Sequence, residues 1–135
     1  MSDVILNKSE TIMRCIKRIH DEYNGDYRNL ENFTKQDAII LNIQRMCEAT
    51  IDMAMHVVAI NHYGVPQNSR DAFQILMDQG ILEQKLAHNM MNMVGFRNIA
   101  VHDYQAVNID IVENIIKKHL DDVLTYRKIM IDLYV

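Results

Sequence analysis

Apolar positions along this chain recur with a helical period almost from end to end. Between Val4 and Tyr23, the residues Ile5, Ile12, Ile16 and Ile19 return every three, four or seven positions, which draws a single stripe along one helix face. Asn24-Gly25-Asp26 stops that helix. Thr34-Lys35-Gln36-Asp37 has the form of a capping box, with Thr34 as the N-cap and an acid three residues on. It predicts a long helix to about Tyr63, striped by Ile39, Ile43, Met46, Thr50, Met53 and Val57. Gly64-Val65-Pro66 breaks it. A shorter helix follows from about Ser69 through Phe73, Ile75 and Leu76, ended by Gly80. The next spans Glu83 to about Val94, with Leu86, Met90 and Met93 on its apolar side. A last helix starts near Asn108 or Asp110, where Glu113 is placed to support the cap. Its line is Ile109, Val112, Ile116, Leu120, Val123 and Met130. With no strand alternation and no internal repeat, the expected fold is all-α: an up-down bundle of four to five helices in a single domain, residues 1–135.

Composition fits that picture. The chain has 135 residues, enough for a core without metal or disulfide staples. One proline (Pro66) and four glycines leave room for long uninterrupted helices. Ten methionines suit the irregular gaps of a helical interior. Cys15 and Cys47 match no zinc or redox spacing, and two thiols in a chain this size point to a reducing compartment. The N-terminus lacks the apolar segment of a leader, and no apolar run approaches the ~18 residues of a membrane span, so a cytoplasmic protein is expected.

A net charge of −4 argues against a broad, salt-driven grip on nucleic acid, although not against a small basic pocket. Arg14, Lys17 and Arg18 on the first helix and Lys117-Lys118 on the last read as a solvated face, with RNA contact as the competing role. The stretch Cys47 to Ala59 suits either a dimer seam or the interior.

One segment is different. Arg97-Asn98-Ile99-Ala100-Val101-His102-Asp103-Tyr104 follows the apolar run Met90 to Val94 and gathers an arginine, an asparagine, a histidine and a tyrosine. Arg97 can hold a phosphate with a planar fork of donors. His102 can move a proton near neutral pH. Tyr104 offers a hydroxyl for binding or modification. Taken singly, each has an ordinary reading as a packing histidine, a surface ion pair or a half-buried anchor.

On an unbroken helix Arg97 and His102 stand ~140° apart and His102 and Tyr104 ~160° apart, while Asn98 and His102 share a face. Convergence therefore calls for a helix end or a distortion near Ala100 or Val101. Cleavage of RNA through its 2′-hydroxyl needs a base, an acid and a positive group for the crowded phosphorane, but no metal. One histidine does not conveniently act as both acid and base. Two copies of the segment facing each other across a dimer axis would solve that, so a homodimer is a mechanistic expectation. The remaining histidines (His20, His56, His62, His88 and His119) form no metal-ligand spacing, and no glycine-rich phosphate loop or GxSxG elbow is present. No cofactor is expected.

The segment 97–104 resembles the RX4HXY signature of HEPN-domain proteins in their HepT branch. So do Gln36-Asp37-Ala38-Ile39-Ile40-Leu41-Asn42, the Cys47-Glu48-Ala49 to Ile51-Asp52 run and Met93-Val94-Gly95-Phe96. The resemblance covers essentially the whole chain, with no departure at the signature positions. It implies a helical, dimeric, metal-independent endoribonuclease that is the toxin of a type VII toxin–antitoxin pair. Arg97 and His102 would be catalytic and Asn98 the supporting polar residue. The implied partner is an MntA-like nucleotidyltransferase antitoxin that attaches AMP to Tyr104. The alternative is a non-catalytic nucleotide- or RNA-binding subunit of a nucleotidyltransferase complex.

Overall fold

A computed structural model describes residues 3–135; Met1 and Ser2, the start of the segment read above for a leader and of the expected domain, lie outside it. Among the described residues the regular elements are all helical. They are α1 (Asp3–Tyr23), α2 (Phe33–Ile60), α3 (Ser69–Asp78), α4 (Gln84–His102), α5 (Ile109–Asn114) and α6 (Leu120–Tyr134). Short 3-10 turns occupy Tyr27–Leu30 and Tyr104–Ala106, and a π-helical turn, Ile115–His119, joins α5 to α6.

α2 is the axis of the bundle. Its 28 residues run about 42 Å, and it packs against α1, α3, α4 and α6. α1 lies along it as a hairpin, and every residue of the stripes expected for the two helices is buried. In the stretch Cys47 to Ala59 one side faces this interior, with Cys47, Ala49, Thr50, Ile51, Met53, Ala54, Val57 and Val58 buried, while Asp52, Met55 and Ala59 are exposed. Behind it, Phe73 of α3 meets the Tyr126 ring of α6 edge-on at 5.7 Å. The buried Tyr126 hydroxyl donates to the Thr50 carbonyl at 2.8 Å, so the deepest phenol keeps a partner.

Several boundaries differ from the sequence expectation. α2 is capped by Asn32, not Thr34: Asn32 has extended backbone and its side-chain oxygen accepts from the Lys35 N–H at 3.1 Å. The helix therefore starts before Thr34, and Asp37 is released from any capping task. At its other end α2 stops at Ile60, short of Tyr63, and His62 takes a left-handed φ of 54°.

α5 is capped by Asn108, whose side chain accepts from the N–H groups of Asp110 and Ile111. Glu113 does not support that cap. It accepts from the Tyr23 hydroxyl at 2.9 Å and pairs with Lys117 at 3.4 Å. The π turn, which periodicity did not predict, brings His119 Nδ1 within 2.8 Å of Asp122, itself bonded by Asn89 of α4 at 3.1 Å.

α4 shows the largest difference. It does not stop near Val94 but continues through the polar segment to His102, eight residues further. Its buried face includes Ala87, Met90, Met91, Met93, Val94, Phe96 and Ala100.

Candidate active site

Because α4 remains helical to His102, the angles of a regular helix apply inside the motif. Arg97 and His102 leave the axis ~140° apart, and Asn98 lies between them, ~40° from His102. Arg97 and His102 of one chain thus leave the helix on different faces. Asn98 links the two faces, since its Oδ1 accepts from Arg97 Nη1 at 3.2 Å.

Arg97 is held from the side. Its Nε and Nη2 donate to the same oxygen of Glu48, at 3.2 and 2.8 Å. Both partners are roughly one-third exposed, at 27% and 36%. A guanidinium has five N–H donors; Glu48 and Asn98 take three, and two remain for an incoming anion. Beside Arg97 lies a shallow hollow of about 340 Å³ lined by Glu48, Ile51, Asp52 and Ser69. Asp52 is paired with Lys8 of α1 at 3.0 Å.

His102, the last residue of α4, is exposed. Asp103 then breaks the helix with φ −150° and ψ 65°, and its N–H still caps Ile99. The helix thus ends after His102 and not near Ala100 or Val101, where convergence called for a boundary, so His102 stays on the helix and only Tyr104 lies beyond it. The following 3-10 turn carries Tyr104 back toward α2, where its hydroxyl donates to the Asp37 carboxylate. Burial, and then this hydrogen bond, push the Tyr104 hydroxyl well above the ordinary tyrosine value. Tyr104 as a residue is nevertheless 41% exposed.

Two contacts fix the frame. Glu48 meets Arg97, while Asp37, earlier on α2, meets Tyr104, later in the chain, so α2 and α4 run antiparallel here. Asp37 and Glu48 are eleven positions apart, within ~20° on a helix, so one face of α2 holds both motif side chains. Spacing gives Asp37 the role of a capping-box acid and gives Glu48 none. Both fall in stretches that resemble the family, and only the pairing of α2 with α4 gives them their partners in the motif.

The basic residues of α1 and the last helix are exposed, and two of them are internally paired: Lys17 with Asp21 at 2.8 Å and Lys117 with Glu113. No cluster of three metal-ligating side chains forms among the described residues, and no helix there is long and apolar enough to cross a membrane.

With this geometry in hand, residues 12–130 match the family described as ribonuclease HepT-like. The chain belongs to the HepT-like ribonuclease family. A relative in Shewanella oneidensis, named mRNA nuclease HepT, is 49% identical over 122 residues, covering 90% of this chain and 92% of that protein. The fold matches a solved structure of the tri-AMPylated Shewanella oneidensis HEPN toxin in complex with MNT antitoxin, with TM-score 0.92 and 47% identity over 98% of this chain and 99% of that one. A second, of a toxin-antitoxin with AMP-PNP, gives TM-score 0.91 and 45% identity over 96% and 99%. The HepT-like chain is accordingly an enzyme of the ribonuclease class with the all-helical fold of HEPN toxins. Family membership favours the nuclease over a non-catalytic binding subunit.

Proposed function

We propose that this HepT-like chain, working as one domain over residues 1–135, is a cytoplasmic mRNA endonuclease toxin whose site is built from Arg97, Asn98 and His102. The observation that carries it is the end of α4: an exposed imidazole and, on another face of the same helix, a guanidinium held by Glu48 with two donors to spare. The 2′-oxygen of RNA attacks its own phosphate while His102 takes the 2′ proton. The free fork of Arg97 holds the non-bridging oxygens as negative charge builds up. Asn98 fixes the guanidinium and steadies the His102 face.

The ~140° between Arg97 and His102 within a chain gives the homodimer a geometric reason in addition to the proton count. Across a two-fold axis, His102 of each copy is paired with the other's segment, one as base and one as acid toward the 5′-oxygen. No metal is required by this scheme.

Similarity to a tri-AMPylated toxin bound to MNT antitoxin supports an MntA-like nucleotidyltransferase as partner and the exposed Tyr104 as acceptor of AMP. The adduct places a phosphodiester charge two residues from His102, where it fills the approach and repels RNA.

His102→Ala tests the whole scheme. RNA cleavage is expected to fall about 10³-fold, with growth arrest abolished and thermal stability unchanged because the ring is exposed. A variant as toxic as the parent ends the acid–base assignment. Mixed dimers with one His102→Ala chain are expected to be nearly as inactive as the double variant. Mass spectrometry after co-expression with the antitoxin should find AMP on Tyr104.

A further inference from the structure

We propose that Asp37 is the general base for nucleotidylation of Tyr104, so that the HepT-like chain supplies the residue that activates its own acceptor. The inference rests on the reading of Tyr104 as the AMP site and adds a residue to it. The argument begins at the start of α2. Asn32 caps the helix, which leaves Asp37 with no capping role. It stands just past the first turn of a rigid 28-residue helix and faces the returning 3-10 turn. There its carboxylate receives the Tyr104 O–H, the only proton that must leave when the phenol becomes a nucleophile. The hydroxyl donates to the base, and Tyr104 is exposed enough, at 41%, for a nucleotide to approach.

The need for a base follows from the hydroxyl itself. Burial and the bond to Asp37 keep Tyr104 protonated well past neutrality, so spontaneous ionisation supplies too little phenolate. In the step, Tyr104 Oη forms a bond to the α-phosphorus of ATP and the bond from that phosphorus to the bridging oxygen breaks. Pyrophosphate leaves with the electron pair, and the phenol proton passes to Asp37. Because Asp37 is exposed, the proton then escapes to solvent. Neutralising the carboxylate during the step also removes a negative charge from beside the incoming phosphate.

Any later AMP added to the first is carried on a ribose hydroxyl, beyond the reach of a side chain fixed on Tyr104 Oη. The base role therefore concerns the first addition alone. A contact that merely docks the antitoxin would affect every addition.

The experiment uses the intact chain, its cognate MNT antitoxin, magnesium and α-labelled ATP, with Asp37→Asn, Asp37→Glu and Tyr104→Phe beside the parent. Asp37→Asn is expected to lower kcat for the first AMP about 10²-fold. KM for ATP and Kd for the antitoxin should stay unchanged, as should the rate of extension from chains already carrying one AMP. Asp37→Glu keeps the base and is expected to recover about tenfold of the loss. Labelling of Asp37→Asn at the parent rate overturns the proposal and leaves Tyr104 as the acceptor. So does a loss that appears wholly in Kd, or equally in the first and later additions. If the parent itself takes no label, or Tyr104→Phe takes as much, the acceptor assignment fails and this proposal goes with it.

Discussion

The two ends of α4 are one continuous helix made for opposite purposes. From Ala87 to Phe96 the helix turns methionine, valine and phenylalanine into the core. From Arg97 onward, only Ala100 is buried among the residues up to Tyr104. In the first part a side chain is held by being surrounded, which fixes position through many weak contacts. In the second, position depends on a few named polar bonds: Glu48 and Asn98 on Arg97, Asp37 on Tyr104. His102 is exposed and fixed chiefly by its backbone. The packed half sets where the polar half stands, and the polar half leaves its groups accessible for chemistry.

The sharpest break in that comparison is to damage the packed half alone. Met90 is 1% exposed at the centre of α4's buried face. Met90→Ala is expected to cost about 2–5 kcal/mol of stability, read by chemical denaturation. RNA cleavage per folded molecule should be unchanged at a temperature where the variant remains native. A loss of turnover in the folded fraction would mean that packing tunes the site directly and does not merely carry it.

Alkaline titration probes the same division through ionisation. Burial pushes the Cys47 thiol up to about 12 from an ordinary 9.0. Burial, together with the hydrogen bond to Glu113, pushes Tyr23 up to about 12 from 10.0. Both groups bind their proton more tightly folded than unfolded. Their stabilising effect is therefore complete below the unfolded values and is lost as pH climbs toward the folded ones. The melting temperature is expected to decline from about pH 9 upward, and Cys47→Ala to delay the onset by about one pH unit.

How much of this was legible beforehand follows the same line. The stripes Ile5-Ile12-Ile16-Ile19 and Ile39-Ile43-Met46-Met53-Val57 are buried as their period requires, because burial of an apolar face is a local pattern repeated many times. The motif residues stood out by type and by family resemblance. Their supports lie in stretches that share the resemblance, but their roles are not legible there, since Glu48 and Asp37 meet Arg97 and Tyr104 only through contacts made across 49 and 67 residues of chain. The full length of α4 is not legible because Arg97 to His102 lacks an apolar stripe; a helix already begun on a packed face simply propagates through it. The π turn at Ile115–His119 leaves no periodic signature of its own, as it displaces the register by a single residue.

The tether on Arg97 allows a finer cut. Glu48→Gln keeps the shape but removes the charge, with two opposing results. The guanidinium becomes more available to RNA, which lowers KM, but it is held less firmly, which lowers kcat. Misplacing a catalytic group costs more than a surface charge gains, so kcat is expected to fall about tenfold and kcat/KM to fall with it. Stability should change by less than about 1 kcal/mol, because the pair is partly solvated. If cleavage rises instead, Glu48 restrains the arginine rather than aiming it.

The smallest effect tests the foundation of the polar half. Asn32 accepts from the Lys35 N–H and so holds the first turn of α2. In that turn Gln36 reaches back to the Leu30 carbonyl at 2.7 Å, and the next residue is Asp37. Asn32→Ala is expected to cost about 1 kcal/mol, to lower the melting temperature by about 4 °C, and to speed exchange of the Lys35 amide. Thr34→Ala, at the hydroxyl that the capping-box pattern put forward, should cost almost nothing because Thr34 lies inside the helix and is exposed. The reverse outcome would move the start of α2 to Thr34 and make Asp37 the acid of a capping box. Its carboxylate would then be engaged by the backbone of its own helix, and the contact that ties α2 to Tyr104 would be lost.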